Sequence, residues 1–311
     1  MKQEIKIFAP ATVANVGCGF DVFGFALNRP GDEVHIRLVD TPGVVISKIV
    51  GDGGMLSIES DKNTASVAVK ALLNHLKIRH GAEIDIYKKM PIQGGLGSSA
   101  ASSCAALLGV NILLGNPLEK TELLKFSIEG ERVACGYPHA DNAAPALLGG
   151  FVLVRSYDPL EVVRIPVPGE LYCAILYPNA EVETRVARDV LKKHVLVSDA
   201  VAQWGNTAGL IAGLMKGDFE LVGRSLEDRF AEPERAKFIP GFFAMKEAAR
   251  QAGALGSGIA GSGPSLFALT TTYKNAEGIA AAMNNAFITE TSKTGVVYIS
   301  KISQKGTRVV E

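Results

Sequence analysis

Three glycines in four residues, followed at once by two serines, constrain this chain more than any other stretch. The run is Pro91-Ile92-Gln93-Gly94-Gly95-Leu96-Gly97-Ser98-Ser99-Ala100-Ala101, with Ser102 and Ser103 after it. It lies between a strand-like segment, 83–88, and a run of small residues, 99–114, that reads as a helix. Glycine opens backbone conformations closed to other residues and lets a ligand approach the main chain. A helix starting at Ser98 or Ser99 brings unpaired N–H groups and the positive end of its dipole. Together these suit an anion, a polyphosphate above all. The same residues also suit a tight turn with serine caps. No Gly-Lys-Ser/Thr closes the loop, so the Walker pattern fails. The dinucleotide fingerprint fits poorly, for want of an acidic residue about twenty positions further on.

A chain of 311 residues predicts two domains. The stretch 156–168, with three prolines, is the expected junction. Lys+Arg 32 balance Asp+Glu 32, so nothing favours nucleic acid or an anionic membrane surface as partner. The pairs Lys88-Lys89 and Lys192-Lys193 read as solvated surface. No apolar run reaches the length of a membrane span, and residues 1–5 lack the pattern of a signal peptide. Cys18, Cys104, Cys135 and Cys173 are scattered without metal spacing. Cys104 and Cys173 read as core thiols, and the set points to the reducing cytoplasm.

In chain order, 4–8 alternates like a strand and 10–24 is a loop of small residues carrying Asn15 and Asp21, two polar groups that also serve turns. Strands are expected at 33–39 and 44–49. A helix over 65–76 follows Asp61-Lys62-Asn63-Thr64, where Asn63 suits a cap. A second long helix, 117–135, carries Glu122, Glu129 and Glu131. The segment His139-Ala140-Asp141-Asn142 puts three polar groups in four residues, and Gly149-Gly150 leads into a strand at 151–155. In the second half, 183–188 begins a helix with Arg185 and Arg188 on one face. Arg235 lies in 231–240, 254–265 is a second glycine-rich loop, and 301–311 is a polar tail.

The pattern Pro-x-x-x-Gly-Leu-Gly-Ser-Ser-Ala at 91–100 resembles the ATP-binding motif of the GHMP small-molecule kinases. Gly261-Ser262-Gly263-Pro264-Ser265 resembles their third motif, which packs against the phosphate loop. The loop 10–21, the segment 139–150 and the arginine segments are similar to those of the homoserine kinase branch. The resemblance covers nearly the whole chain. It implies an α+β fold of two domains: a ribosomal-S5-like ATP-binding domain over 1–166 and a ferredoxin-like one over 167–311. It implies ATP held by 91–101 with Asn63 beside the nucleotide, and Mg2+ on Ser99 and Glu131. It implies L-homoserine held by Asn15, Asp21, His139, Asp141, Arg188 and Arg235, and a cytoplasmic homodimer without nucleic-acid or membrane partners.

Two arginines from separate segments suit a planar carboxylate. Mevalonate-type kinases have an aspartate base near the slot that Asn142 fills here, and an amide cannot accept that proton. The reading is therefore phosphoryl transfer without a dedicated base, with the hydroxyl aligned by Asn15, Asp21 and Asn142. Two alternatives stand beside it: a kinase of the same type acting on another small alcohol, and a silent nucleotide-binding protein. The arginines and the acid- and amide-rich loop favour a zwitterionic substrate over a polyol. Intact Ser99 and Glu131 count against a silent member.

Overall fold

Alternating buried and exposed side chains carry the chain into strands from Glu4 onward. The computed structural model describes residues 3–137, 139–178 and 184–310, leaving out the side chains at 133–135 and 184–186. Pro138, Glu183 and the side chains of Cys135 and Arg185 therefore lie outside the described residues.

The first half contains β1 (Glu4–Ala14), β2 (Phe23–Val39), β3 (Val44–Val50), α1 (Thr64–His75), β4 (Gly81–Tyr87) and α2 (Ser98–Leu113). After these come α3 (Leu124–Cys135), α4 (Ala143–Leu148) and the hairpin β5 (Phe151–Tyr157) and β6 (Leu160–Ile165). The second half runs β7 (Tyr172–Tyr177), α5 (Thr184–Asp189), α6 (Val197–Lys216), α7 (Phe219–Ser225), α8 (Glu232–Arg235) and α9 (Phe242–Gln251). It ends with β8 (Gly256–Ile259), β9 (Leu266–Thr270), α10 (Tyr273–Thr291), β10 (Val296–Lys301) and β11 (Arg308–Val309). One sheet has the order β11-β1-β2-β4-β3, with β5 on β2 and β6 on β5, and only its β3–β4 pair is parallel. The other, β10-β7-β9-β8, is wholly antiparallel.

Alanine, serine and glycine at 100–109 let α2 sit directly on β1 and β2, with nearly every side chain buried. It is a central helix whose bareness of large residues is what brings its first turn close to the sheet. In the second half α9 and α10 cover one face of the four-stranded sheet over a core of Phe242, Met245, Met283 and Phe287.

Four elements depart from the sequence reading. The strand β1 continues through Pro10 to Ala14, past a register shift between Pro10 and Thr12, so the loop is only 15–22. The helix expected at 117–135 starts as a 3-10 turn, Lys120–Leu123, closed by a capping box between Glu119 and Glu122. The glycine-rich run 254–265 contains the strand β8. The polar tail is not loose: β11 pairs with β1, Thr307 gives its N–H and hydroxyl to Ala146 O at 2.7 and 2.9 Å, and Lys120 Nζ reaches Thr307 O at 2.7 Å.

One apolar cluster spans both sheets. Phe25 lies 4.9 Å from Phe151 between ring centres and meets Phe267 of β9 edge-on at 6.1 Å. Phe267→Ala should therefore cost about 3–5 kcal/mol. Because the cluster is shared, the loss should lower one unfolding transition seen alike by all probes; two resolved transitions, only one of them shifted, would contradict a common core.

Candidate active site

A cavity of about 530 Å3 opens between the loop before α2 and the loop between β8 and β9. Its lining includes Asn15, Asp21, Asn63, every residue from 91 to 99, Glu131, His139, Asp141, Asn142, Arg188 and Arg235. Ala100 and Ala101 are fully buried inside α2 and lie outside the lining.

In the first turn of α2 neither serine caps the helix. The cap position is Gly97, at φ +68°, and it makes no side-chain cap hydrogen bond. Ser98 Oγ donates to Asp32 Oδ2 at 3.2 Å and Ser99 Oγ to Glu131 Oε2 at 3.0 Å. No side chain takes the cap's place, so a bare helix N-terminus faces the cavity. A Cβ on Gly97 would sit 2.1 Å from Thr12 Oγ1 and 2.7 Å from Asn142 Oδ1. A Cβ on Gly95, at φ +79°, would sit 2.3 Å from Ala260 O and 2.8 Å from Gly263 O. Glycine is thus required at both for close backbone approach.

The reading of Lys88 as solvated surface is corrected: its side chain is buried and paired with buried Asp32. Lys88 Nζ also donates to Ser98 O at 2.8 Å and Ser102 Oγ at 2.9 Å, and Asp32 Oδ1 accepts the Lys89 N–H at 2.7 Å. Burial pulls the ammonium pKa down, opposed by the Asp32 charge. The signal was parity. Ala82, Ile84, Ile86 and Lys88 share the inward face, as do Asp32, Val34 and Ile36 of the neighbouring strand. A lysine on the apolar side of a strand calls for a buried acid opposite. Thr12 was also missed; its fully buried hydroxyl donates to Asn142 Oδ1 at 2.7 Å, which leaves the amide NH2 free to turn toward the cavity.

Charged groups gather at the other end. Arg188 grips Asp21 with two bonds, 3.0 and 2.6 Å, and stacks 4.7 Å from the Tyr137 ring centre. Arg235 is buried; it donates to Ala187 O at 2.9 Å and Gly261 O at 3.1 Å, with its guanidinium 5.2 Å from the Phe20 ring. Asn15 donates to Gly261 O at 2.6 Å and accepts the Asp21 N–H at 3.0 Å. His139 Nδ1 is 3.7 Å from Asp21, and burial pulls its pKa down. Burial pushes both Asp141 and Glu131 up to about 7. Asn63 caps α1, accepting the Ala65 N–H at 3.0 Å, while its amide donates to Ser57 O at 3.0 Å. Among the described residues no cluster of three His, Cys, Asp or Glu side chains exists to hold a metal alone. Ser99 with Glu131 suits an ion that takes most of its ligands from phosphates and water.

Comparison with known proteins identifies the family. Residues 63–150 match the GHMP kinases N terminal domain and 210–289 the GHMP kinases C terminal model. The chain is 51% identical to the homoserine kinase of Chloroherpeton thalassium over 99% of this chain and 100% of that one. It is 48% identical to that of Chlorobium phaeobacteroides, with the same coverage. The crystal structure of homoserine kinase from Cytophaga hutchinsonii superposes with a TM-score of 0.96 at 53% identity, over 100% of this chain and 98% of that one. A more distant likeness is one of fold alone: the crystal structure of L. major mevalonate kinase gives a TM-score of 0.74 at 16% identity, over 97% of each chain.

The buried carboxyls make a stability prediction. A carboxyl whose folded pKa is raised to about 7 keeps its proton longer than in the unfolded chain, so its contribution is present at low pH and fades as pH rises toward and through 7. His139, whose folded pKa is lowered, acts oppositely, its share being lost as pH falls. The ligand-free protein should melt lower at pH 8 than at pH 6, and Asp141→Asn should flatten that slope. A wild-type melting temperature that climbs over this interval at constant ionic strength would overturn the assignment.

Proposed function

The chain belongs to the GHMP kinases, in their homoserine kinase branch, and from that membership we propose that it transfers the γ-phosphoryl group of ATP to the side-chain hydroxyl of L-homoserine. The product would be O-phospho-L-homoserine, on the route to threonine. The observation that carries the reading is the single cavity joining a bare helix N-terminus to a cluster of two arginines and two acids. Such a pairing matches an anionic donor at one end and a zwitterion bearing an alcohol at the other.

In this reading the N–H groups of 94–99 cradle the phosphates, with Lys88 fixing a positive charge beneath them. Residues 91–93 and Asn63, with Met55 and Leu56 on the same wall, flank the nucleotide. Ser99 and Glu131 would hold Mg2+, which supplies neutralisation of the charge building on the phosphates. Arg188 and Arg235 bind the α-carboxylate; Asp21 and Asp141 take the ammonium and hydroxyl ends. Substrate entry exchanges the internal Asp21–Arg188 pair for bonds to the amino acid. Asn15 holds Asp21 in place, and the Asn142 amide, oriented by Thr12, aligns the hydroxyl with the γ-phosphate. Phosphoryl transfer asks mainly for positioning, so no side chain need take the proton before the bond forms.

The reading extends to organisation, in a cytoplasmic homodimer: residues 1–166 as the ATP-binding domain and 167–311 as its partner, except that β11 returns to complete the first domain's sheet. Exposed Leu196, Val197, Val201 and Trp204 near the start of α6 support an association surface. The buried free thiols Cys18, Cys104 and Cys173 support a reducing compartment.

Coupled ADP release over a panel of amino alcohols and polyols tests the substrate. L-homoserine should be preferred, and 3-amino-1-propanol, which lacks the carboxylate, should be poor. Losing a charge-assisted hydrogen bond costs about 1.5–3 kcal/mol, so Arg235→Leu should lower kcat/KM for homoserine roughly tenfold to a hundredfold or more. Equal turnover of 3-amino-1-propanol by the wild type would remove the arginine clamp. His139→Gln should keep at least a few per cent of kcat. A loss of roughly 10³-fold, with disappearance of an acidic limb from the pH–rate profile, would instead make His139 the base.

A further inference from the structure

Tyr157, the last residue of β5, belongs to none of the sequence motifs and does not line the cavity. Its hydroxyl donates to the Asp21 carbonyl at 2.7 Å and accepts the Ala140 N–H at 3.3 Å. One oxygen thus ties the loop after β1 to the segment before α4, the two places that carry Asp21, His139, Asp141 and Asn142. Asp21 stands at φ +60°, a left-handed conformation that a non-glycine residue holds only when its surroundings fix it. Asn15 Oδ1 fixes its N–H at 3.0 Å and Tyr157 fixes its carbonyl, so both peptide groups around this residue are pinned by side chains. The pinned backbone in turn aims the carboxylate at Arg188 and toward His139. Both hydrogen bonds of the Tyr157 hydroxyl go to this charged end of the cavity and none to residues 91–99.

We propose that Tyr157 is a positioning residue for the phosphoryl acceptor, setting Asp21 against the Asp141 segment so that the charged end of the site is formed before the amino alcohol arrives. This rests on the homoserine reading above and adds to it a residue that acts through Asp21 rather than by touching substrate. The consequence is selective. Losing the hydroxyl loosens the acceptor end, which is read in KM for the acceptor, and leaves the phosphate cradle as it was.

Tyr157→Phe removes one oxygen and keeps the ring. With one hydrogen bond contributing about 1 kcal/mol, KM for L-homoserine should rise roughly five- to tenfold, with KM for ATP and the melting temperature little changed. In an Asp21→Asn background the same substitution should add clearly less than its loss in the wild type, since much of its effect passes through the Asp21 side chain whose backbone it pins. Wild-type turnover of homoserine tests the parent reading separately; if another alcohol proves preferred, the same KM ratio is measured with it. Three results would overturn the proposal: an unchanged acceptor KM in folded Tyr157→Phe, equal losses for both substrates with a lowered melting temperature, or full additivity with Asp21→Asn.

Discussion

Contact between two glycine-rich loops, main chain against main chain, sets the geometry on which the rest of this molecule depends. Gly95 packs so closely on the carbonyls of Ala260 and Gly263 that no Cβ fits between them. The Gly261 peptide then serves as a node: its N–H donates to Ala14 O at 3.1 Å, and its carbonyl accepts from both Asn15 and Arg235. The end of β1, the loop before α2 and the second sheet therefore meet around a single residue. A side chain at this contact would part the two halves of the cavity, because hydrogen bonds lose their value over a few tenths of an ångström. Small residues here are a matter of spacing between two parts of a site, beyond any single turn.

Charge is distributed by the same logic. The chain as a whole carries none in balance, yet the site holds a separated array. Under the loop before α2 a lysine and an aspartate are both withdrawn from water, an arrangement whose desolvation cost is large and whose Coulombic return depends on additional hydrogen bonds. Those bonds are present: Ser98 and Ser102 on the ammonium, Ser98 Oγ and the Lys89 N–H on the carboxylate. The pair fastens β2 and β4 to the start of α2, so the polar network fixes the position of the helix terminus as well as its field. At the acceptor end the ion pair Asp21–Arg188 is partly open to solvent, with side chains 24% and 26% exposed, and so remains exchangeable. On the proposed function, the rigid pair would lie beneath the phosphates and the labile one where the amino alcohol enters.

Much of this was legible in the sequence because glycines and small polar residues at fixed spacing have few other uses. Pro91 to Ser99, His139, Asp141, Asn142, Arg188 and Arg235 were all expected at the site, and the structure brings them around one cavity. What escaped was carried by partners rather than by runs. Lys88 looked like half of a surface pair until the inward parity of β4 and its opposite number Asp32 are considered together. Thr12 sits in a strand that its proline and small residues disguised as a loop, and Tyr157 touches Asp21 across 136 positions. The strand β8 was hidden among glycines, where pairing to β9 overrides a weak local preference. Two residues of β11 in a polar tail give no periodicity to read.

That short last strand has a consequence for how the protein is made. Ile7 of β1 pairs with Val309 and Phe8 with Arg308, so the sheet begun at β1 gains its outer strand only from β11, after every other described element in chain order. Until then β1 presents an open edge, and the carbonyl of Ala146 in α4 waits for Thr307. Vectorial folding, in which an amino-terminal domain is finished while the remainder is still being translated, is the common course for chains of this size. Here the first sheet is sealed only once β11, which follows every other described element in chain order, is in place. A chain in which β11 has yet to dock would expose the edge of β1 as a template for intermolecular strand pairing, so the interval before that docking is the period in which this sheet is most open to misassembly.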